Sequence, residues 1–307
     1  MIQIQRGIFI LLALISVTFF SSPLALLAGF IFALCCENPF EDFTKLGIKY
    51  ILKVAIVGLG FSIHVSELKS AGLEGLKFTV ISIATILILG YFLGKKLNIH
   101  KKLTWLISCG TAICGGSAIA AVSSVIKPKA HDISVSLGVV FMLNALALFI
   151  FPPVGHFLNM SQYDFGLWSA IAIHDTSSVV GAAMSYGNEA LKVATTVKLA
   201  RTLWIIPISI LSGFIFKNEK GKVQIPLFIL FFVVAILIGS YVDIPMQITD
   251  SITFISKKLL IFCLFLIGTT LSLKNLKQAG HKPFILAVSI WIFISVFSLL
   301  MIHFKFL

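Results

Sequence analysis

Cys109–Ile126 reads CGTAICGGSAIAAVSSVI. The stretch carries no charge and is long enough to lie within a bilayer. It nevertheless holds Gly110, Gly115 and Gly116, two cysteines and the hydroxyls of Thr111, Ser117, Ser123 and Ser124. Such a segment forms a helix poorly and attracts lipid weakly. Non-helical backbone at membrane depth is tolerated only where protein buries it or a cavity solvates it. The composition therefore predicts an interrupted helix inside a bundle. The glycines let the chain unwind and let backbone approach a ligand closely. A half-helix starting around Ser117 would turn its free N–H groups into the bundle, a ready anion site. Plain packing of small residues between helices is the competing reading.

The rest of the chain supplies the bundle. It is 58% hydrophobic and 12% charged, with mean hydropathy +1.05, more apolar surface than a soluble fold of this length can hide. Uncharged runs recur at Phe78–Gly94, Leu103–Ile126, Ile133–Gly155, Ile225–Val242 and Pro283–Ile302. Each is near the roughly 20 residues that span a bilayer core. The expected fold is all-α and polytopic, a single transmembrane domain over 1–307 with ten or eleven membrane segments. They lie near 7–36 (one long or two short, broken at Ser21-Ser22-Pro23), 48–65, 76–94, 103–126, 133–155, 165–185, 191–215, 224–242, 251–273 and 283–303. Gly7–Cys36 is too long for a signal-peptide core and is read as mature protein.

The net charge of +12 does not indicate nucleic acid, because much of it lies in short loops where Lys and Arg set topology. Lys95, Lys96, Lys101 and Lys102 mark one cytoplasmic loop, Lys217, Lys220 and Lys222 a second, and Lys274, Lys277 and Lys282 a third. The loop 243–250, with Asp243 and Asp250 and no Lys or Arg, reads as external. Lys127, Lys129 and His131 make the loop after the opening stretch cytoplasmic as well, whereas 156–164 has no Lys or Arg. That pattern favours re-entrant hairpins at 103–126 and 165–185. The five cysteines show no zinc or redox spacing and read as buried small residues. No cofactor is expected.

An internal echo links Gly60–Gly72 (GFSIHVSELKSAG) to Gly268–Gly280 (GTTLSLKNLKQAG). The charge pattern puts the first outside and the second inside. This is the mark of an inverted repeat, common in secondary transporters.

Two further polar segments point to a site. In IAIHDTSSVVGAAMSYG, residues 171–187, His174, Asp175, Thr176, Ser177 and Ser178 lie deep in an apolar span. An intramembrane ionisable pair marks function by default, a structural salt-bridge partner being the alternative. His174 and Ser178, four apart, are expected on one helix face. The SSVVGAA within it resembles the GSAIAA of the opening stretch, as matching broken helices of two repeats would. In LKVATTVKLARTLWIIP, Lys198 and Arg201 are three apart and face one way. Asp175 is expected to balance one of the two cations, leaving a net positive site. Asn144, mid-span in SLGVVFMLNALALFIF, reads as an interhelical hydrogen bond or a further ligand.

Taken in order and spacing, TAICGGSAIAA (Thr111–Ala121), HDTSSVVGAA (His174–Ala183) and KLARTLWIIP (Lys198–Pro207) resemble the YeiH-type sulfate exporter family of bacterial inner membranes. The resemblance covers essentially the whole chain. It implies a multi-pass inner-membrane transporter with a core of crossing broken helices beside a panel, working by alternating access. It carries Gly115, Gly116, Ser117, His174, Lys198 and Arg201 over as positions inside matching motifs.

The leading functional reading is a secondary transporter of a small anion (sulfate, sulfite, a sulfonate or a small organic acid). Gly115, Gly116, Ser117, Asn144, His174, Ser177, Ser178, Lys198 and Arg201 would bind it. His174 and Asp175 would couple it to H⁺, with Na⁺ as the alternative, and His suits a proton relay. A passive channel and a membrane-embedded enzyme are the competing classes. Adjacent His174 and Asp175 diverge on a helix and make a poor catalytic relay. Expected partners are the anion, the coupling ion and the lipid bilayer, with no nucleic acid and a homodimer left open.

Overall fold

The structure is a computed structural model describing residues 2–20, 22–63, 65–216, 227–270 and 280–304. Among these the chain is entirely helical. The helices among the described residues are α1 (Ile2–Phe19), α2 (Ser22–Cys35), α3 (Glu41–Gly60), α4 (Val65–Lys96), α5 (Lys101–Ala112), α6 (Gly116–Ile126), α7 (Ala130–Phe157), α8 (Gln162–Ala172), α9 (Thr176–Tyr186), α10 (Asn188–Thr202), α11 (Ile205–Ile215), α12 (Leu227–Tyr241), α13 (Met246–Thr270) and α14 (His281–His303). Five stretches are long and apolar enough to cross a membrane: Phe78–Lys96, His131–Phe157, Asn188–Ile215, Met246–Thr270 and His281–His303.

The opening stretch breaks where its glycines predict. α5 stops at Ala112, α6 begins at Gly116, and the two halves fold back on each other. Lys102, at the base of α5, donates from Nζ to the carbonyl oxygens of Ile126 (2.7 Å) and Lys127 (3.0 Å) at the far end of α6. A continuous helix would hold residues 102 and 127 about 37 Å apart. α8 and α9 repeat the design around residues 173–175. Tyr186 Oη donates to the Met160 carbonyl at 2.7 Å, and its ring stacks on Phe165 with centroids 3.8 Å apart. The Glu189 N–H donates to Gln162 Oε1 at 3.0 Å. Both segments are therefore re-entrant helical hairpins, and the crossing helices implied by the family resemblance are not what this chain forms. Half-helices of 11 or 12 residues reach about 17 Å, roughly half the ~30 Å of a hydrocarbon core.

α7 joins the hairpins. Its 28 residues span about 42 Å, enough to cross the membrane, so the two hairpins enter from opposite faces. Lys95, Lys96, Lys101, Lys102, Lys127 and Lys129 crowd the base of the first hairpin. The described loops at the opposite end, 61–63, 158–161 and 242–245, have no Lys or Arg. By the positive-inside rule the first hairpin enters from the cytoplasm and the second from outside.

The region 7–36 resolves into two short antiparallel helices, with Phe9 of α1 against Phe32 of α2 at 5.5 Å between ring centroids. Counting each hairpin once and α10–α11 as one bent rod, the described residues make eleven membrane segments. The bend at Leu203-Trp204 precedes Pro207, which has no N–H for the Leu203 carbonyl. That oxygen accepts instead from Ile206 N–H, one residue early.

Two groups of helices result. α4, α7, α10, α11 and α14 surround the hairpins. α1–α3, α12 and α13 form a flanking panel in which α2 and α13 cross closely. A methyl group on Gly29 would lie 2.1 Å from the Phe265 carbonyl oxygen, so this contact requires glycine. α3 and α13 run antiparallel, with Gly58 against Ser256 and Gly47 against Leu266. Gly60 and Gly268, which open the two echoed segments, thus lie toward opposite ends. Most of the second copy, 271–279, lies outside the described residues.

Candidate functional site

The hairpin tips meet beside Asn144, near the middle of α7. Gly115, at the first tip, has φ +63° and ψ −120°, a conformation that side chains other than hydrogen rarely accept. A Cβ built there would stand 3.6 Å from both Asp175 Cα and Asn144 Nδ2. Asn144 Oδ1 accepts the backbone N–H groups of His174 (3.0 Å) and Asp175 (3.2 Å). One buried amide thus pins the second tip against the mid-membrane helix and stands beside the first.

Each tip exposes two kinds of helix end, and the chain treats them differently. The C-terminal carbonyls of α8 are all occupied. Lys198 Nζ donates to Ala170 (3.2 Å) and Ile173 (2.7 Å), Arg201 Nη1 to Ile171 (3.2 Å) and Trp291 Nε1 to Ala172 (3.1 Å). Arg201 Nε also reaches the last residue of α5, at the Ala112 carbonyl (2.8 Å). A helix C-terminus carries negative partial charge, so fully buried Lys198 and Arg201 offset two of them at once. Lys198 and Arg201 do face the same way, as their spacing predicts. The expected pairing with Asp175 does not form: among the described residues no carboxylate oxygen lies within ion-pair distance of either cation. Helix carbonyls supply the counter-charge instead.

The N-terminal ends differ from each other. Asp175 is the N-cap of α9, its Oδ2 accepting from the N–H groups of Ser177 (3.1 Å) and Ser178 (3.4 Å) and from the Ser177 hydroxyl. A carboxylate of the chain thus occupies the anion-binding end of that half-helix. α6 begins at Gly115 with no side-chain cap hydrogen bond.

The remaining polar atoms at the tips are mostly donors. Asn144 Nδ2 and Arg201 Nη2 are buried and have no hydrogen-bond partner, and the same holds for both ring nitrogens of fully buried His174. His174 sits in the break before Asp175, outside α9, so the expected face shared with Ser178 does not exist. Ser177 and Ser178 are buried in the first turn of α9, while Asp175 is partly exposed. Gly116 packs against α7, where a Cβ would come within 2.9 Å of the Phe141 ring. Ser117 is exposed on the first turn of α6 and stands apart from the cluster. Trp291 was not legible as a site residue, because an indole in an apolar run gives no signal without knowing which carbonyl it meets. Among the described residues no group of His, Cys, Asp and Glu could hold a metal ion.

A family model described as "Conserved hypothetical protein 698" matches residues 8–287. A UPF0324 membrane protein of Bacteroides thetaiotaomicron is 49% identical over 285 residues, 92% of this chain and 86% of that protein. UPF0324 membrane proteins of Photobacterium profundum (48% over 303 residues, 97% and 92%) and Geobacter sulfurreducens (41% over 298 residues, 97% and 96%) match at nearly full length. No solved structure matches it. On the match over residues 8–287 and these near-full-length relatives, the chain belongs to the UPF0324 family of bacterial multi-pass inner-membrane proteins.

Proposed function

We propose that this protein is a secondary transporter that carries a small anion (sulfate, sulfite, a sulfonate or a small organic acid) through the junction of the two hairpin tips by alternating access. The YeiH-type resemblance of the tip motifs supports this reading. One observation carries it. The carbonyl end of α8, which would attract a cation, is occupied by Lys198, Arg201 and Trp291, and Arg201 also takes the Ala112 carbonyl at the end of α5. What stays without a partner includes Asn144 Nδ2 and Arg201 Nη2, which can only donate, beside the uncapped N-terminus of α6. Buried donors without acceptors are costly, and a bound oxyanion would satisfy them.

Asp175 gives this site a counterweight. Its carboxylate holds the α9 N-terminus as a substrate anion would, so the two compete for one positive region. Ser177 and Ser178 become available when the carboxylate is displaced. His174 would carry a coupling proton. H⁺ is favoured over Na⁺ because two buried cations already sit on the α8 carbonyls and the Ala112 carbonyl that a Na⁺ would need. Gly115 and Gly116 set the approach of the tips, and Ser117 lines the first turn of α6.

Uptake into proteoliposomes tests the class. Concentrative uptake driven by a proton or sodium gradient supports the transporter. Gradient-independent dissipative flux would make the protein a channel, and a chemically altered product would make it an enzyme.

A further inference from the structure

Few groups carry charge at the hairpin tips, and their sum restricts what the site can hold. Four half-helix ends meet there. α5 and α8 bring C-termini, at Ala112 and Ala172, and α6 and α9 bring N-termini, at Gly116 and Thr176. A helix end carries about half an elementary charge, negative at the C-terminus and positive at the N-terminus. Two ends of each sign cancel, so the side chains decide the remainder.

Among the described residues the buried acidic and basic side chains are Asp132, His174, Lys198 and Arg201. Asp132 is in the first turn of α7, about 18 Å along that helix from Asn144, and faces His100 (3.6 Å) at the cytoplasmic base rather than the tips. His174 has no hydrogen-bond partner at either ring nitrogen, so nothing there supports an imidazolium and it counts as neutral in this conformation. Lys198 and Arg201 donate to carbonyls of the α5 and α8 ends, already counted, and add two positive charges. Asp175, capping α9, adds one negative charge. The tips are left with one positive charge. The donors without partners, Asn144 Nδ2 and Arg201 Nη2, and the uncapped N-terminus of α6 are where a ligand would meet it.

We propose that the tip site selects singly charged oxyanions, the class of sulfonates and monocarboxylates, over dianions such as sulfate. The proposal rests on the anion-transport reading above and narrows its substrate. A monoanion brings the tips to neutrality. A dianion leaves a full negative charge beside the Asp175 carboxylate at membrane depth, where an uncompensated charge is costly. Asp175 therefore sets the charge class, because its carboxylate is one of the two negative charges that the cations can balance. Partial exposure of Asp175 lets water screen the excess, which moderates the preference without removing it.

The test derives apparent affinities from ligand-induced thermal stabilisation of the full chain in detergent. It is run at one ionic strength and about pH 8, where carboxylic acids are ionised and imidazoles neutral by their reference values. The probes are sulfate as the dianion, and methanesulfonate, sulfamate and acetate as monoanions. Methanesulfonate and sulfamate keep three of the sulfate oxygens and change the charge. Wild type should bind its best monoanion about tenfold more tightly than sulfate. Asp175→Asn retains a capping side chain and raises the sum to two positive charges. Its gain in affinity for sulfate should exceed its gain for the monoanion by about tenfold, which erases the preference. Asp175→Ser makes the same change with a different cap, in case the first variant folds poorly. Sulfate bound as tightly as the best monoanion in wild type, or equal gains for the two charge classes in a folded Asp175 variant, would overturn the proposal and leave the anion-transport reading standing. Absence of stabilisation by all four probes would overturn that reading and the proposal with it.

Discussion

The side-chain oxygen of Asn144 lies 3.0 Å from the backbone nitrogen of His174, and the same oxygen holds the next N–H, that of Asp175. Those two N–H groups belong to a three-residue break at membrane depth, where no helix ladder can serve them. Asn144→Ala should therefore leave two buried donors unpaired, at about 1–3 kcal/mol each. Thermal unfolding in detergent should show a clear drop in midpoint. Asn144→Asp retains the acceptor and should recover most of the loss. Equal midpoints for Asn144→Ala and wild type would mean that the tip is held by something else.

Gly115 and Gly116 are adjacent but should fail for different reasons. Gly115→Ala has ordinary space around its Cβ, so its cost is the backbone conformation at φ +63°, about 1–3 kcal/mol. Gly116→Ala has a permitted helical backbone and instead strikes Phe141. Phe141→Leu should rescue Gly116→Ala and leave Gly115→Ala unrescued in the same unfolding assay. Rescue of both would show that steric crowding alone explains the pair.

The hairpin topology makes a labelling pattern. Single cysteines at Lys102 and Lys127 should react with a membrane-impermeant maleimide only from the cytoplasmic side, and the two together should cross-link. Cysteines at Asn159 and Asn188 should react only from outside. Labelling of 102 and 127 from opposite sides would restore a crossing helix.

Much of this architecture was legible in the sequence because it follows from local composition. Gly110, Gly115, Gly116 and the hydroxyls around them announced a broken helix, and the lysines on both flanks of Leu103–Ile126 announced that its ends share a face. The family resemblance pointed to a crossing helix, and the charge pattern proved the better guide because it reports the topology of this chain directly. The site was less legible. Lys198, Arg201 and Asp175 read as an ion network, since opposite charges are the obvious partners for one another. Partial charges on helix ends settled the matter instead, and these exist only once the breaks at 113–115 and 173–175 are known. Trp291 and the bridging role of Asn144 depend on long-range packing, which no local pattern encodes.

In the proposed mechanism Arg201 and the tip donors hold a transported anion in competition with Asp175. The direct measurement is ligand-induced stabilisation of purified protein by sulfate, sulfite, a sulfonate and small carboxylates. It compares wild type, Arg201→Gln and Asp175→Asn, with monodispersity as the folding control. Arg201→Gln keeps a donor for the tip carbonyls and removes the charge. One of these anions should raise the wild-type unfolding midpoint, with no such rise for Arg201→Gln and an equal or larger rise for Asp175→Asn, whose proteoliposomes should no longer couple uptake. Unchanged stabilisation of folded Arg201→Gln by the wild-type anion would contradict it and make the arginine purely a cap for the helix ends.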